Sequence, residues 1–314
     1  MLCLRRQGVP GRFLDKLWHR NNNVRTFNPS RSKIVQSIPP RSMLFVSGEK
    51  VERFSKAIAA GADMVCIDLE DAVHPQRKLE ARNNVLNWLG QQARTETGPR
   101  VAVRLNGLRT REGLRDVLAL IDSGVQLDWL LLPKVEHPSD IQCVANWLGS
   151  QIGAIAALIE TPLGIENAHS IARAGGNLGA LMLGGADLSA ELGAQFSWDG
   201  LYSARGRLVN AARAAGVQAW DVPHVDIGNL AGLSEETRKV LALGFDCKTA
   251  IHPQQIQTIH AAFAPTPADL EWAKLLVQAV PDGEFSGAFL YEGRMVDAPL
   301  VRKARRIVEL SRVY

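Results

Sequence analysis

The stretch WLLLPKVEHPSDIQCVANWLGSQIGAIAALIET, residues 129–161, contains the repeating unit that decides the fold. An apolar run at 129–135 is followed by an amphipathic segment at 138–149 and by a second apolar run at 155–161. Short apolar runs without polar alternation are typical of strands that are buried on both faces of a parallel sheet. The segment between the two runs is long enough for the crossover helix that parallel strands require. The stretch therefore predicts a strand–helix–strand unit.

The same unit recurs along the chain in both directions. The predicted strands lie at 41–46, 64–71, 101–106, 129–135, 155–161, 180–188, 217–222 and 248–253. The predicted helices lie at 51–61, 78–89, 111–123, 138–149, 164–174, 201–215, 234–243 and 253–263. Eight such units predict a (β/α)₈ TIM barrel over residues 41–265. A doubly wound sheet is the alternative, but the first turn reads VSGEKVE rather than the GxGxxG of dinucleotide-binding folds.

Two segments flank the predicted barrel. Residues 266–314 form a C-terminal extension, with a predicted helix at 267–280, an irregular stretch at 285–299 and a basic helix at 299–312. Residues 1–40 form an N-terminal extension that is rich in arginine and poor in acids. Such a composition also occurs in organellar transit segments. We expect a cytoplasmic extension instead, and a cytoplasmic protein.

The distribution of charge excludes several classes of function. The chain has 36 Lys and Arg against 32 Asp and Glu. Nine of the basic residues but only one acid, Asp15, fall within residues 1–41, so the remainder holds 27 basic and 31 acidic residues. An acidic body gives no support to nucleic-acid binding. The chain contains no run of about 18 apolar residues without a charge, so no membrane span is predicted. The four cysteines are far apart and form no CxxC pair, which argues against a zinc ribbon or a disulfide framework.

Polar side chains collect where the predicted strands end, the part of a barrel that carries chemistry. They are Asp68, Glu70, Asp71, Arg104, Asn106, Lys134, Glu136, Glu160, Asp187, Asp221 and His252. Arg104 is unusual because its strand, VAVRLN, is otherwise apolar or uncharged. Its guanidinium is either a bidentate clamp for a substrate carboxylate or half of a buried salt bridge with Glu70 or Asp71.

Glu160 and Asp187 end adjacent predicted strands. Two carboxylates with few His or Cys nearby suit Mg²⁺, which takes one or two protein carboxylates and keeps positions for water and substrate. Lys134 could form a Schiff base, but an electrophilic metal would make that role unnecessary. His252 before Pro253 is either a base or, as we prefer, a structural cap.

Several motifs together resemble the citrate lyase beta-subunit-like branch of the HpcH/HpaI aldolase and citrate lyase superfamily. They are RSMLFVSG, ADMVCIDLEDAV, VAVRLN, LLLPKVE, IETPLGIENA, LGGADLSAELG, KTAIHP and GRMVDAP, and they span about residues 41–312. The resemblance implies a (β/α)₈ barrel with a C-terminal lid extension. It also implies a Mg²⁺-dependent enzyme that cleaves or forms a carbon–carbon bond between a 2-keto acid and an acyl thioester.

The resemblance also implies roles for individual residues. By motif, Glu160 and Asp187 correspond to the metal ligands, and Glu160 also faces the substrate. Arg104 corresponds to the catalytic contact with the substrate carboxylate. Asp297, in GRMVDAP, corresponds to an acid–base residue that a neighbouring subunit's lid provides. Its alternative role is to cap the helix that starts near Pro299.

Two further positions, Phe45 and Lys56, correspond to residues near the CoA tail in the family. Two others depart from the family pattern: Ser47 replaces a proline, and Ala186 replaces a frequent glutamate before the metal aspartate. The second departure bears on which acyl group is accepted.

The implied substrates are an acyl-CoA and a 2-keto acid such as pyruvate. The expected activity is cleavage of citramalyl-CoA to pyruvate and acetyl-CoA, in a homotrimer whose lids are shared between subunits. Malyl-CoA and a citryl thioester on an acyl carrier protein, the substrate of a citrate lyase beta subunit, are the close alternatives. A barrel that binds acyl-CoA as a regulator without catalysis is the alternative from another class. The presence of Arg104, Glu160, Asp187 and Asp297 together argues against it.

Overall fold

The structure is a computed structural model that describes residues 38–92, 98–280, 287–291 and 293–311. Eight parallel strands pair in chain order and close into a barrel through the pairing of the first with the eighth. They are β1 (Ser42–Ser47), β2 (Met64–Asp68), β3 (Arg100–Arg104), β4 (Leu127–Leu132), β5 (Ile152–Ile159), β6 (Leu178–Leu183), β7 (Gln218–Asp221) and β8 (Cys247–Ala250). The predicted (β/α)₈ barrel is confirmed. The basic segment 1–37, including most of the predicted N-terminal extension, lies outside the described residues.

Helices follow the strands around the outside of the barrel. They are α1 (Val51–Ile58), α2 (Lys78–Gln91), α3 (Arg111–Ser123), α4 (Pro138–Leu148), α5 (Pro162–Ala172), α6 (Gly185–Leu192), α7 (Trp198–Ala215), α8 (Leu230–Leu243) and α9 (Gln255–Phe263). Short polar side chains start several of them; the Thr110 hydroxyl, for example, accepts a hydrogen bond from the N–H of Gly113 at 3.0 Å. Within the described ranges, no helix has the length and hydropathy needed to cross a bilayer.

Two apolar layers hold the barrel together. One fills its interior, where the rings of Trp129 and Trp220 lie 4.7 Å apart. Gly179 makes room for the first of them, because a Cβ at this position would come within 2.5 Å of the Trp129 ring. The other layer packs between the strands and the helices. Alternate residues of each strand enter the two layers, which explains why the strands read as continuous apolar runs.

The C-terminal extension has an apolar cluster of its own. It consists of α10 (Pro267–Ala279), β9 (Ala288–Tyr291), β10 (Arg294–Asp297) and α11 (Ala298–Leu310), with Ala273, Leu276, Val296, Val301 and Ala304 among its buried residues. The two strands pair antiparallel, so the predicted irregular stretch at 285–299 contains a hairpin. Strands of four residues are too short for their pattern to stand out in a sequence.

Arg306 of α11 lies 3.5 Å from Asp246, which directly precedes β8. Helix α11 therefore contacts the N-terminal end of the barrel, opposite the end at which the strands finish.

Candidate active site

A cavity of about 390 Å³ opens where the barrel strands end. Its charged lining consists of Asp68, Asp71, Arg104, Glu160 and Asp187, and its apolar lining includes Phe45, Leu158, Met182, Phe196, Val222, Val225 and Ile251. Charged residues that the sequence places at four separate strand ends thus share one space. Four carboxylates face one cation, so the lining favours a positively charged occupant.

Glu160 follows β5 directly and is only 3% exposed. Its Oε1 accepts a hydrogen bond from the backbone N–H of Lys134 at 2.7 Å. Burial raises the pKa of Glu160 to about 7, against an ordinary value of 4.5. A carboxylate that is costly to keep charged in this way gains from a cation placed beside it.

Asp187 lies in the first turn of α6, not at a strand end as the sequence predicted. Its Oδ2 is buried and receives no hydrogen bond, although the Lys134 ammonium is 3.2 Å away. Lys134 also lies 3.5 Å from Glu70. Partial burial opposes the charge of Lys134, but Glu70 and Asp187 outweigh it and raise the pKa of the ammonium. A lysine held in its charged form does not act as a Schiff-base nucleophile.

The backbone around Glu160 is shaped to fit its carboxylate. Lys134 has φ of 53°, a left-handed conformation of order 1–3 kcal/mol above the common ones for a residue with a side chain. In this conformation the backbone N–H of Lys134 points at the Glu160 carboxylate. A Cβ at Gly184 would lie 2.3 Å from Glu160 Oε2, so only glycine fits at this position.

Arg104 ends β3 and points into the cavity, where its guanidinium lies 5.3 Å from the Phe45 ring. Its Nε and Nη2 donate to the two oxygens of Asp68 at 2.7 and 2.6 Å, and its Nη1 lies 3.0 Å from Glu70. The alternative of a salt bridge is therefore realised, with Asp68 as the main partner and with Glu70. These contacts use three of the five N–H groups of a guanidinium, which leaves two for a substrate carboxylate.

Burial opposes the charge of Arg104, yet the hydrogen bonds that it donates to Asp68 raise its pKa. Glu70 responds in the other sense: burial raises the pKa of its carboxyl to about 8. Its Oε2 is buried and faces Arg104 Nη1 at 3.0 Å. Asp68 is 1% exposed and also accepts the backbone N–H groups of Glu70 and Ala72, at 2.8 and 3.1 Å. Asp68 thus ties Arg104 to the loop that follows β2.

Glu160 and Asp187 fit a magnesium ion. In the described part of the chain, no group of three or more His, Cys, Asp or Glu forms a larger metal cluster. Two carboxylates nevertheless suit Mg²⁺, which keeps water and substrate oxygens as its other ligands. The buried Asp187 Oδ2, which faces the Lys134 ammonium at 3.2 Å, is an acceptor of the hard, anionic kind this ion prefers.

The other residues singled out in the sequence lie in different places. Phe45 lines the cavity. Lys56 is exposed on α1 and is not part of the cavity lining. His252 Nδ1 accepts the backbone N–H of Gln254 at 3.3 Å, which is the predicted cap. Asp297 accepts the backbone N–H of Leu300 at 3.3 Å and caps α11, and no described residue beyond Ile251 lines the cavity.

Two features of the site were not predicted from the sequence: Asp68 as the partner of Arg104, and helix α6 as the element that carries Asp187. The first could have been found by register, because Asp68 and Arg104 are paired neighbours on β2 and β3. The second could not, since the eight-residue α6 follows its strand after a single glycine, Gly184, and merges with the apolar run.

Comparison with known proteins agrees with this geometry. Residues 41–253 match the family model HpcH/HpaI aldolase/citrate lyase, and residues 207–314 match a carbon–carbon bond lyase family of the TIM-barrel fold. The citrate lyase subunit beta of Haemophilus influenzae is 35% identical over 87% of this chain and 97% of its own length. The mitochondrial citramalyl-CoA lyase of Homo sapiens is 32% identical over 90% of this chain and 88% of its own.

A solved structure of similar fold is that of protein CitE from Mycobacterium tuberculosis in complex with magnesium, acetoacetate and coenzyme A. It is 33% identical to this chain, with a TM-score of 0.75, and the match covers 88% of this chain and 99% of that one.

Proposed function

This chain belongs to the HpcH/HpaI aldolase/citrate lyase family and is a carbon–carbon lyase, and we propose that it cleaves a 3-hydroxy-3-carboxy acyl-CoA to a 2-keto acid and acetyl-CoA. One observation carries the proposal: Glu160, Asp187 and the guanidinium of Arg104 line a single cavity at the mouth of the barrel. A Mg²⁺ site beside the guanidinium of Arg104, which can bind a carboxylate, suits a substrate that carries a hydroxyl next to a carboxylate.

Glu160 and Asp187 would hold Mg²⁺ in this cavity. When bound, the ion would supply an electrophile for the oxygen that becomes the keto group. Arg104 would bind the substrate carboxylate through its two remaining N–H groups, and Asp68 would keep the guanidinium in place. Fixing the carboxylate orients the bond that breaks, which lowers the entropic part of the barrier.

We propose citramalyl-CoA, which yields pyruvate, as the preferred substrate. Arg104 is the single cation in the lining, and the remaining uncharged wall is largely apolar, with Leu158, Met182, Val222 and Val225. A methyl group on the keto carbon suits such a wall, whereas the second carboxylate of a citryl thioester would be buried beside four acids without a partner. Malyl-CoA, which lacks the methyl, remains the nearest competitor because one methylene-sized group is worth only about 1–3 kcal/mol of discrimination.

We further propose that Asp297 acts in a neighbouring subunit, as part of a homotrimer. Its own helix, α11, contacts the opposite end of its own barrel through Arg306. Beside it, Leu290 and Met295 face each other across the β9–β10 hairpin and are 75% and 72% exposed. An apolar pair left exposed in this way suits packing against another subunit. Asp297 would there handle the proton of the acetyl-CoA carbon.

The activity is tested by incubating the purified chain with citramalyl-, malyl- and citryl-CoA, each with Mg²⁺ and with excess chelator. We expect Mg²⁺-dependent release of acetyl-CoA, with the highest kcat/KM for citramalyl-CoA. Binding of the thioesters without any cleavage would instead support the regulatory acyl-CoA-binding barrel. Faster cleavage of citryl-CoA would overturn the substrate preference.

The shared lid is tested by mixing two inactive variants, Asp297→Ala and Glu160→Gln, under conditions in which subunits exchange. Mixed oligomers would contain sites with an intact metal pair and an intact lid, so part of the activity should return. No recovery after verified exchange, or a fully active monomer, would overturn the shared site.

We propose a cytoplasmic location, although the human relative is named as mitochondrial. A fluorescent fusion at the C-terminus should give diffuse cytoplasmic signal with and without residues 1–40. Organellar signal that depends on those residues would show that they are a transit segment.

A further inference from the structure

Cleavage of a tertiary hydroxy acid requires a base that removes the hydroxyl proton, and the roles given above leave that base unassigned. The acids that line the cavity are Asp68, Asp71, Glu160 and Asp187. Asp68 is fully engaged by Arg104 and by two backbone N–H groups. Glu160 and Asp187 are the proposed metal ligands. Only Asp71 has no other assignment.

The Asp71 carboxylate is exposed to the cavity. Among the described residues, no hydrogen bond or ion pair engages that carboxylate. Its charge is felt by Glu70 and by Lys134, whose ammonium lies 3.2 Å from Asp187. Asp71 lines the same cavity as Glu160 and Asp187.

The backbone that carries Asp71 is held firmly although its side chain is free. The Lys78 ammonium donates to the carbonyls of Leu69 and Glu70 at 2.8 and 2.6 Å. On the other side, the Ser47 hydroxyl donates to the carbonyl of Ala72 at 2.6 Å. A fixed backbone with an uncommitted carboxylate is the arrangement that general-base catalysis requires.

We propose that Asp71 is the general base that takes the substrate's hydroxyl proton, an inference that rests on the proposed lyase function. The O–H bond breaks and its proton passes to the Asp71 carboxylate, while the oxygen's electron pair forms the C=O of the keto acid. The carbon–carbon bond breaks at the same time, and its electron pair becomes the enolate of the acetyl thioester. A second proton, donated by the carboxyl group of Asp297, is added to the enolate carbon and gives acetyl-CoA.

The test compares Asp71→Asn with Asp226→Asn in the full-length chain with Mg²⁺. Asp226 is the matched control, because it is an exposed aspartate on the loop after β7 that does not line the cavity. We expect Asp71→Asn to lose about 10²–10⁴-fold in kcat for thioester cleavage, the usual contribution of a general base. Its affinity for pyruvate and for Mg²⁺, measured by calorimetry, and its melting temperature should stay within about twofold and about 1 °C of wild type.

One further readout separates a base from a structural residue. Added formate should restore part of the activity of Asp71→Ala. The base assignment is overturned if Asp71→Asn retains kcat within threefold, or if it loses ligand affinity or stability in proportion to activity. If the wild type cleaves no thioester, the lyase proposal itself fails. If the wild type cleaves the thioester and Asp71→Asn is equally active, only the base assignment fails.

Discussion

Two clusters of charged residues at the barrel differ in their balance of charge. The mouth cluster, which consists of Asp68, Glu70, Arg104, Lys134, Glu160 and Asp187, holds four acids and two cations, and its buried oxygens Glu70 Oε2 and Asp187 Oδ2 each face one of those cations, at 3.0 and 3.2 Å. The outer cluster, which lies behind β7 and β8 and consists of Arg205, Asp221, His224, Glu236 and Lys248, pairs Asp221 with Arg205 at 2.8 Å and with Lys248 at 2.7 Å. Lys248 also donates to Glu236 and to the carbonyl of Val222, at 2.5 and 2.7 Å.

We propose that this difference in balance separates charges that stabilise the fold from charges that serve chemistry. The outer cluster holds two cations and two carboxylates, and its charged oxygens and nitrogens are paired, with His224 Nε2 as the one atom left over among those described. It closes on itself and holds α8 against the barrel. The mouth cluster has two more acids than cations, so a further cation would balance it. Local imbalance, more than the presence of charge, marks the site.

The largest expected effect is the loss of turnover when one of the two proposed metal-binding carboxylates is removed from the mouth cluster. Glu160→Gln and Asp187→Asn should each abolish Mg²⁺-dependent cleavage, a loss of at least about 10³-fold, because each removes a ligand oxygen charge. The fold should stay intact, since burial already favours the neutral form of Glu160. Activity assays with a Mg²⁺ titration and melting curves measure both. Glu166→Gln, on the exposed face of α5, is the control. Wild-type activity in either variant, or full activity in chelator, would contradict the metal assignment.

Breaking the balanced cluster should affect stability first. Lys248→Met leaves Asp221 and Glu236 short of a buried partner, and we expect a loss of about 3–5 kcal/mol in the free energy of unfolding. Lys239→Met removes an exposed ion pair with Glu235 and should cost less than about 1 kcal/mol. Denaturant unfolding of the two variants measures the contrast. Equal stabilities would show that the outer cluster does not stabilise the fold.

Arg104 has both a structural and a proposed catalytic role, because it is hydrogen-bonded to Asp68 and also lines the cavity. Arg104→Lys keeps the charge but loses the fork that spans both Asp68 oxygens, and we expect a loss of about 10–100-fold in kcat/KM with weaker pyruvate binding. Arg109→Lys, at a half-exposed guanidinium outside the cavity, should stay within about twofold. Steady-state kinetics and calorimetry test this. Unchanged pyruvate binding and turnover would make Arg104 purely structural.

The smallest effect concerns Glu70 and pH. Burial raises the pKa of its carboxyl in the folded chain to about 8, against an ordinary 4.5, so the folded state binds the proton more tightly than the unfolded state. Stability should therefore fall as pH rises from about 4.5 to about 8. Glu70→Gln cannot lose that proton, and its melting temperature in chelator should decline less over this range, by about 2 °C or more. A decline equal to that of wild type would show that Glu70 is already charged at low pH.

The barrel was predictable because its signal is repeated and local. Runs such as 129–133 and 155–159 are apolar throughout, and each is followed by a helical pattern, so the eight strands could be counted from the chain alone. The β9–β10 hairpin was not predictable, because its strands have only four residues each. Its apolar residues pack in one cluster with those of α10 and α11, which are distant in sequence from one another.

The sequence by itself determined the repeat, the strand ends and the residue types that gather there, since hydrophobic periodicity and strand polarity are properties of neighbouring residues. Only the tertiary structure decided which way each charge points. Asp221 and Asp68 both end a barrel strand, yet one faces the helices and is neutralised there, while the other faces the mouth and holds Arg104. The reason is that the pleat sends successive side chains to opposite faces of the sheet, and only closure of the barrel makes one of those faces a shared interior.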